Sequence, residues 1–254
     1  MLTKWDWGFC TKVGPQFTPV TDYLADKFPA TIAVNLYSIL ISVPLGVALG
    51  IYAALRKNKW QDQVVSVGVM ILISVPSYVY AFIVQYFLGY KLGWFPLVVN
   101  TGTNWFSWNM FHSMALPIMA LAFGTLAGLT RFTRAELTET LTSDYMLLAR
   151  TKGLTKGQAT VRHALRNAMV PILPMIIGEF IAILTGSLII ERIFAIPGIG
   201  AVYVRAINNL DYNVFMTVSI FYTVLSLGSG ILIDLSYGFI DPRIRIGGGK
   251  TNEY

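Results

Sequence analysis

The chain has 254 residues, 55% hydrophobic and 13% charged, with a formal net charge of +6. A soluble globular domain carries about 25% charged residues, so half that fraction, lying between long apolar runs, excludes an ordinary soluble fold and indicates an integral membrane protein. The positive charge sits in short loops beside those runs, a topology signal rather than a nucleic-acid face, and the single Cys10 excludes a disulfide framework or a multi-cysteine metal site.

Residues 1–29 are mixed and polar, hold three prolines and lack a signal peptide. They read as the end of a loop. The first span is expected at about 30–55, with Pro44 inside it and a Gly46/Gly50 pair that permits close helix approach. Arg56, Lys57 and Lys59 make a short basic loop. The second span is expected at 64–90, kinked at Pro76, with Gln85 as a polar interior candidate. Residues 91–112 carry Trp94, Trp105 and Trp108, which fit an interfacial belt or a short amphipathic segment. Sugar or base stacking is the weaker alternative, and His112 reads as a boundary residue.

The third span is expected at 113–129, with a second glycine pair, Gly124/Gly128. The polar stretch 131–168 follows, the longest in the chain, with seven Lys/Arg and three acids. The fourth span is expected at 169–190, containing Pro171, Pro174 and Glu179. Loop 191–213 opens on Glu191 and Arg192, both expected to be solvated, and continues through a PGIG turn into a short amphipathic segment. The fifth span is expected at 214–235, with Asp234 in a structural role near its end, and a polar, basic tail completes the chain. Its GGGKT run lacks the strand, spacing and following helix of a phosphate-binding loop.

Thirteen Lys/Arg fall in 56–63, 131–168 and the tail, against three in 91–112 and 191–213. The positive-inside rule places the polar stretch and the C-terminus in the cytoplasm and residues 1–29 outside. Exporting that N-terminus predicts a sixth span upstream of residue 1. Glu179 has two readings, facing a translocation path or pairing with a neighbouring helix.

Within 131–168, two helices are predicted. The first, about 134–150, extends the third span, with Leu137, Leu141, Tyr145 and Leu148 at helical spacing. Gly153 can take a left-handed stop after Lys152. Thr155 and Gln158 then form a capping box, opening a second helix over 156–168. Ala159, Leu165 and Ala168 can pack in it, while Arg162, His163 and Arg166 stay wet. Helix, glycine stop and capped helix make a rigid elbow, suited to receiving a push from a soluble partner.

DYMLLARTKGLTKGQATVRHALRNAMVPI resembles the EAA loop of ABC importer permeases, with Ala149, Gly153 and Leu165 on its characteristic alanine, glycine and late leucine. The usual I-x-L-P ending is absent. RHALRNA instead resembles the peptide/nickel subfamily, and ERIFAIPGIG, AINNLDYN and the terminal DPRIR are similar to the B-type permease of oligopeptide and dipeptide importers. The resemblance covers residues 20–246. It implies an all-α polytopic protein of the type I ABC importer permease fold, with five transmembrane helices in this chain and an additional N-terminal one before it. Residues 1–29 become an external loop remnant, 30–240 the permease domain with coupling elbow 131–168 and external loop 191–213, and 241–254 a cytoplasmic tail.

The implied partners are a second homologous permease, two cytoplasmic ATP-binding subunits, an extracellular substrate-binding protein and membrane lipid, with no nucleic acid. ATP and Mg would sit on the ATPase chains, with no cofactor, metal or catalytic residue in this one. Coupling is assigned by the same resemblance to Asp144, Ala149, Arg150, Lys152, Gly153, Leu154, Arg162 and His163, with Gln85 and Glu179 as pore or interhelix candidates. The expected cargo is a peptide. Nickel, a metal chelate or haem are alternatives within the class, and an ion-driven secondary transporter is the alternative outside it. The expected location is a prokaryotic inner membrane.

Overall fold

The computed structural model describes residues 6–100, 102 and 104–240. Among them there is no sheet, only an isolated antiparallel bridge between Phe9 and Pro19. The terminal DPRIR and GGGKT stretches lie outside the described residues.

The helices are α1 (Val20–Ala25), α2 (Phe28–Leu55), α3 (Trp60–Ser74), α4 (Ser77–Val84), α5 (Trp108–Ser113), α6 (Ala115–Leu141), α7 (Asp144–Thr151), α8 (Lys156–Ala159), α9 (Arg166–Ala182), α10 (Leu188–Ile193), α11 (Ile199–Asn208) and α12 (Tyr212–Ile240). A π-helical stretch, Gln85–Lys91, prolongs α4, and another, Thr160–Leu165, fuses α8 to α9. At 1.5 Å per residue the 28 residues of α2 span about 42 Å, enough to cross a hydrocarbon core of about 30 Å. Among the described residues, four helical rods are long and apolar enough to cross a membrane. They become five if α3 and the arm Ser77–Lys91, which meet at 100°, count as one broken span.

The kink expected at Pro76 is therefore a sharp bend. Proline forces its predecessor out of the helical region, and Val75 is extended at φ −100°, ψ 126°. Tyr80 braces the corner, its hydroxyl donating to the carbonyls of Ile71 and Leu72, each at 3.0 Å.

The axis of the fold is the pair α2 and α6. Gly46 and Gly50 let the backbones meet. A Cβ on Gly46 would lie 2.9 Å from the Leu126 carbonyl oxygen, and one on Gly50 would lie 2.6 Å from Thr133 Cβ. Thr130 Oγ1 donates across the seam to the Gly46 carbonyl at 3.1 Å. The second glycine pair has no such role: Gly124 has open space beside it, and Gly128 has only the Met175 methyl at 3.8 Å.

Two helix boundaries differ from the sequence expectation. The third span runs unbroken to Leu141 and stops there, so no single helix covers 134–150. Thr142 donates to the Thr138 and Glu139 carbonyls and Ser143 to that of Thr140, at 2.6 Å for Ser143. Such back-bonding offers the chain an alternative to continuing the helix. The fourth span and the second elbow helix are one 27-residue rod, Lys156–Ala182. It ends at 182 rather than 190, and α10 is a separate short helix capped by Ser187, whose side chain accepts from the Ile190 N–H.

Candidate functional site

The elbow packs on the ends of the central pair. Met146 and Ala149 of α7, Ala159, Ala164 and Ala168 of the rod, Leu137 of α6 and Ala54 of α2 form one buried cluster. Alanines let short helices approach closely, so the elbow is seated on two spans. Leu141 and Leu165 are partly buried against the cluster. Tyr145 and Leu148, which recur at helical spacing with Leu137 and Leu141, are exposed, and the break at Thr142–Ser143 separates them from α6.

Its corner is built by local chemistry. Gly153 sits at φ +89°, the left-handed stop. The Gly153 N–H donates to the Arg150 carbonyl at 3.0 Å and the Leu154 N–H to that of Ala149 at 3.3 Å, closing the end of α7. Thr155 and Gln158 form the reciprocal capping box that opens α8. Of the residues assigned to coupling, Ala149 is buried and Leu154 half-buried, while Asp144, Arg150, Lys152, Gly153, Arg162 and His163 are exposed. Leu147, Leu148 and Val161 are exposed among those cations. The corner thus presents a mixed apolar and cationic tip.

The remaining candidates lie elsewhere. Glu179 of α9 accepts from Thr125 Oγ1 of α6 at 3.2 Å and lines a cavity of about 460 Å³ with Pro174, Gly178 and Ile233. Gln85 donates to the Leu97 carbonyl at 2.7 Å, tying the arm to the following loop. Asp234 is exposed on α12. Trp94 and Trp108 are exposed and Trp105 is buried.

The face opposite the elbow carries two buried carboxylates that sequence reasoning missed. Glu191, expected to be solvated, is 2% exposed, whereas its neighbour Arg192 is exposed. Thr31 Oγ1 donates to Glu191 Oε1 at 2.8 Å, and the Ala201 N–H donates to Oε2 at 3.0 Å. Thr31 Oγ1 in turn accepts from the Ile199 N–H at 2.9 Å. The PGIG turn is thereby fastened to α2. Burial pushes the Glu191 carboxyl above the usual carboxylate range, against the opposing pull of those donors. The signal in the sequence was the glycines: Gly186, Gly198 and Gly200 all pack where a Cβ would strike this carboxylate.

Asp211, fully buried before α12, accepts at Oδ2 from the N–H groups of Thr11, Lys12 and Val13, at 2.9, 2.7 and 2.9 Å. Three successive N–H groups make a nest for one oxygen. Burial alone would raise its pKa, but these bonds and that of Val214 hold it below the usual range. Cys10 and Val13 are thus held in a cluster with Val20, Val202 and Val214.

Apolar rods of bilayer length, paired at backbone distance and joined by a protruding polar elbow, define a polytopic helical membrane protein of the permease class. The family described as binding-protein-dependent transport system inner membrane component matches residues 46–246, and the chain belongs to it. It is 39% identical over 228 residues to the dipeptide transport system permease protein DppB of Bacillus subtilis (strain 168), covering 89% of this chain and 71% of that protein. It is 32% identical over 245 residues to the oligopeptide transport system permease protein OppB of Haemophilus influenzae, covering 96% and 77%. A crystal structure of an amino acid ABC transporter with histidines shares the fold, with a TM-score of 0.62 at 19% identity over 85% of this chain and 92% of that one.

Proposed function

We propose that this chain forms half of the translocation path of an ATP-driven peptide importer. A second, homologous permease would supply the other half. Two cytoplasmic ATPases, carrying ATP and Mg, would receive the elbow, and an extracellular binding protein would deliver cargo to the face built around Glu191 and Asp211. The C-terminus would be cytoplasmic, on the elbow side, as the distribution of Lys and Arg favours.

The observation that carries the reading is the corner at Gly153. Its left-handed stop and capping box hold Leu147, Leu148, Arg150 and Arg162 on a rigid projection seated on α2 and α6. A docked partner that changes shape with nucleotide would favour different permease conformations through differential contacts there. The peptide cargo is supported by the names of the relatives, several of which are dipeptide or oligopeptide permeases.

The test is reconstitution of the complex co-purified on a tag on this chain. An ATPase chain is expected in the complex, and labelled dipeptide uptake into proteoliposomes is expected to stop without ATP. Uptake that persists without ATP under an ion gradient would support an ion-driven carrier instead. ATP-dependent uptake of nickel, a metal chelate or haem in place of peptide would move the cargo within the same class.

A further inference from the structure

Among the described residues there is one ion pair, and it joins α3 to α6. Arg134 Nε and Nη2 donate to the two carboxylate oxygens of Asp62, the second at 2.8 Å. Asp62 is 2% exposed. It also accepts from the Asn58 N–H at 2.9 Å, and Asn58 has a left-handed backbone at φ +64°. One carboxylate therefore closes the turn from α2 to α3 and fastens α3 to α6.

Asp62 and Val69 are the buried residues of α3, and half-buried Leu72 and the following Val75 pack its far end on the core that holds Tyr80 and Ile190. Beyond the pair, α3 and α6 leave between them a groove of about 550 Å³, lined by Val69, Met70 and Ile73 on one side and Thr130, Arg131 and Ala135 on the other. By contrast, α2 lies against α6 along the Gly46/Gly50 seam. The braced corner at Tyr80 makes α3 and α4 an angled unit, and α4 packs on α6 and on α10, the helix that carries Glu191.

We propose that the Asp62–Arg134 pair is a pivot that positions the α3–α4 lever, passing elbow movement to the face around Glu191. This rests on the reading that the elbow receives that movement from an ATPase. When α6 shifts with the elbow, the pair obliges the near end of α3 to follow, and the groove lets the helix tilt about its far end, which Leu72 and Val75 hold on the core. The Tyr80 brace carries the tilt round the bend to α4 and so to α10. Asp62, Arg134 and Tyr80 are positioning residues and need not touch cargo.

The test uses the reconstituted complex and reads peptide transported per ATP hydrolysed. Asp62→Asn is expected to co-purify with the ATPase and hydrolyse ATP, but to transport roughly tenfold less per ATP, a coupling loss in the usual range. Arg134→Lys keeps a cation beside Asp62 and leaves the carboxylate free to accept the Asn58 N–H, and is expected to retain most of the ratio. Because removing one partner of a buried pair can prevent folding, Tyr80→Phe provides the milder variant. It deletes one hydroxyl and is expected to lower the same ratio. A parental ratio in Asp62→Asn or in Tyr80→Phe overturns the pivot, as does an Arg134→Lys complex no better coupled than Asp62→Asn. A parent complex that needs no ATP would instead defeat the importer reading, so the two failures are distinguishable.

Discussion

Glu191 and Thr31 lie 160 residues apart in the chain and meet through a 2.8 Å hydrogen bond in the interior. The bond joins the start of α2 to α10, and the Ile199 and Ala201 N–H groups complete it. A carboxylate used in this way acts as a structural acceptor. It lets a PGIG turn, rich in backbone N–H groups and poor in side chains, be held without a strand or a disulfide.

Removing this acceptor is expected to cost more than a surface change. Glu191→Ala leaves buried donors unpaired at about 1 to 3 kcal/mol each. Glu191→Gln keeps the volume and is expected to alter the pH dependence instead. The folded state holds the Glu191 proton more tightly than the unfolded chain, whose value is near 4.5. Its contribution is therefore fully present below that value and lost as pH rises through the raised folded value. Thermal unfolding of solubilised protein between about pH 4 and 8 is expected to show a flatter profile in the Gln variant. Parallel profiles would mean that Glu191 does not titrate in this range.

Asp211 has the opposite sign. Its folded pKa lies below the ordinary 3.8, so its stabilisation is present above that value and disappears as pH falls through the lower, folded one. Asp211→Ala releases three backbone N–H groups at once. Thr11 and Lys12 are exposed, so water can recover part of the loss, and about 2 kcal/mol is expected. Hydrogen exchange at residues 11–13 should rise markedly, while that of the α2–α6 seam stays at the parental rate.

The helical class, most span positions and the elbow corner were legible because each depends on neighbours in sequence. Gly153, Thr155 and Gln158 act within six residues, and apolar run length reports a span directly. The two carboxylates and the Asp62–Arg134 pair were not legible. Their partners lie 160, about 200 and 72 residues away, and an acid beside a basic residue at a loop start resembles a wet surface pair. The break at Thr142–Ser143 was missed because helical spacing of Leu137, Leu141, Tyr145 and Leu148 continues across it. Only the back-bonding hydroxyls mark it.

The two glycine pairs give a controlled comparison. At Gly50 an added methyl meets Thr133 Cβ at 2.6 Å and the Thr130 carbonyl at 2.8 Å, so Gly50→Ala must force the α2–α6 seam apart. Overpacking of this kind costs about 1 to 3 kcal/mol. At Gly124 the added methyl meets nothing, and helix propensity favours alanine by up to about 1 kcal/mol. Thermal unfolding in detergent should show Gly50→Ala lowered and Gly124→Ala unchanged or raised. Equal effects would mean that the seam is not set by glycine.

The corner of the elbow is tested by separating space from backbone shape at Gly153. Nothing lies within 4 Å of an added Cβ there, so any penalty comes from φ +89° alone. Left-handed backbone costs an ordinary L-residue about 1 to 2 kcal/mol, and asparagine tolerates it better. Gly153→Val is therefore expected to insert normally but to loosen the turn between α7 and α8, and Gly153→Asn to retain it. Co-purification with an ATPase chain and transport per ATP should fall in the order Gly, Asn, Val. A valine variant that couples as well as the parent would show that the projection does not depend on this stop, and would remove the geometric basis for assigning Arg150, Lys152 and Arg162 to the docking tip.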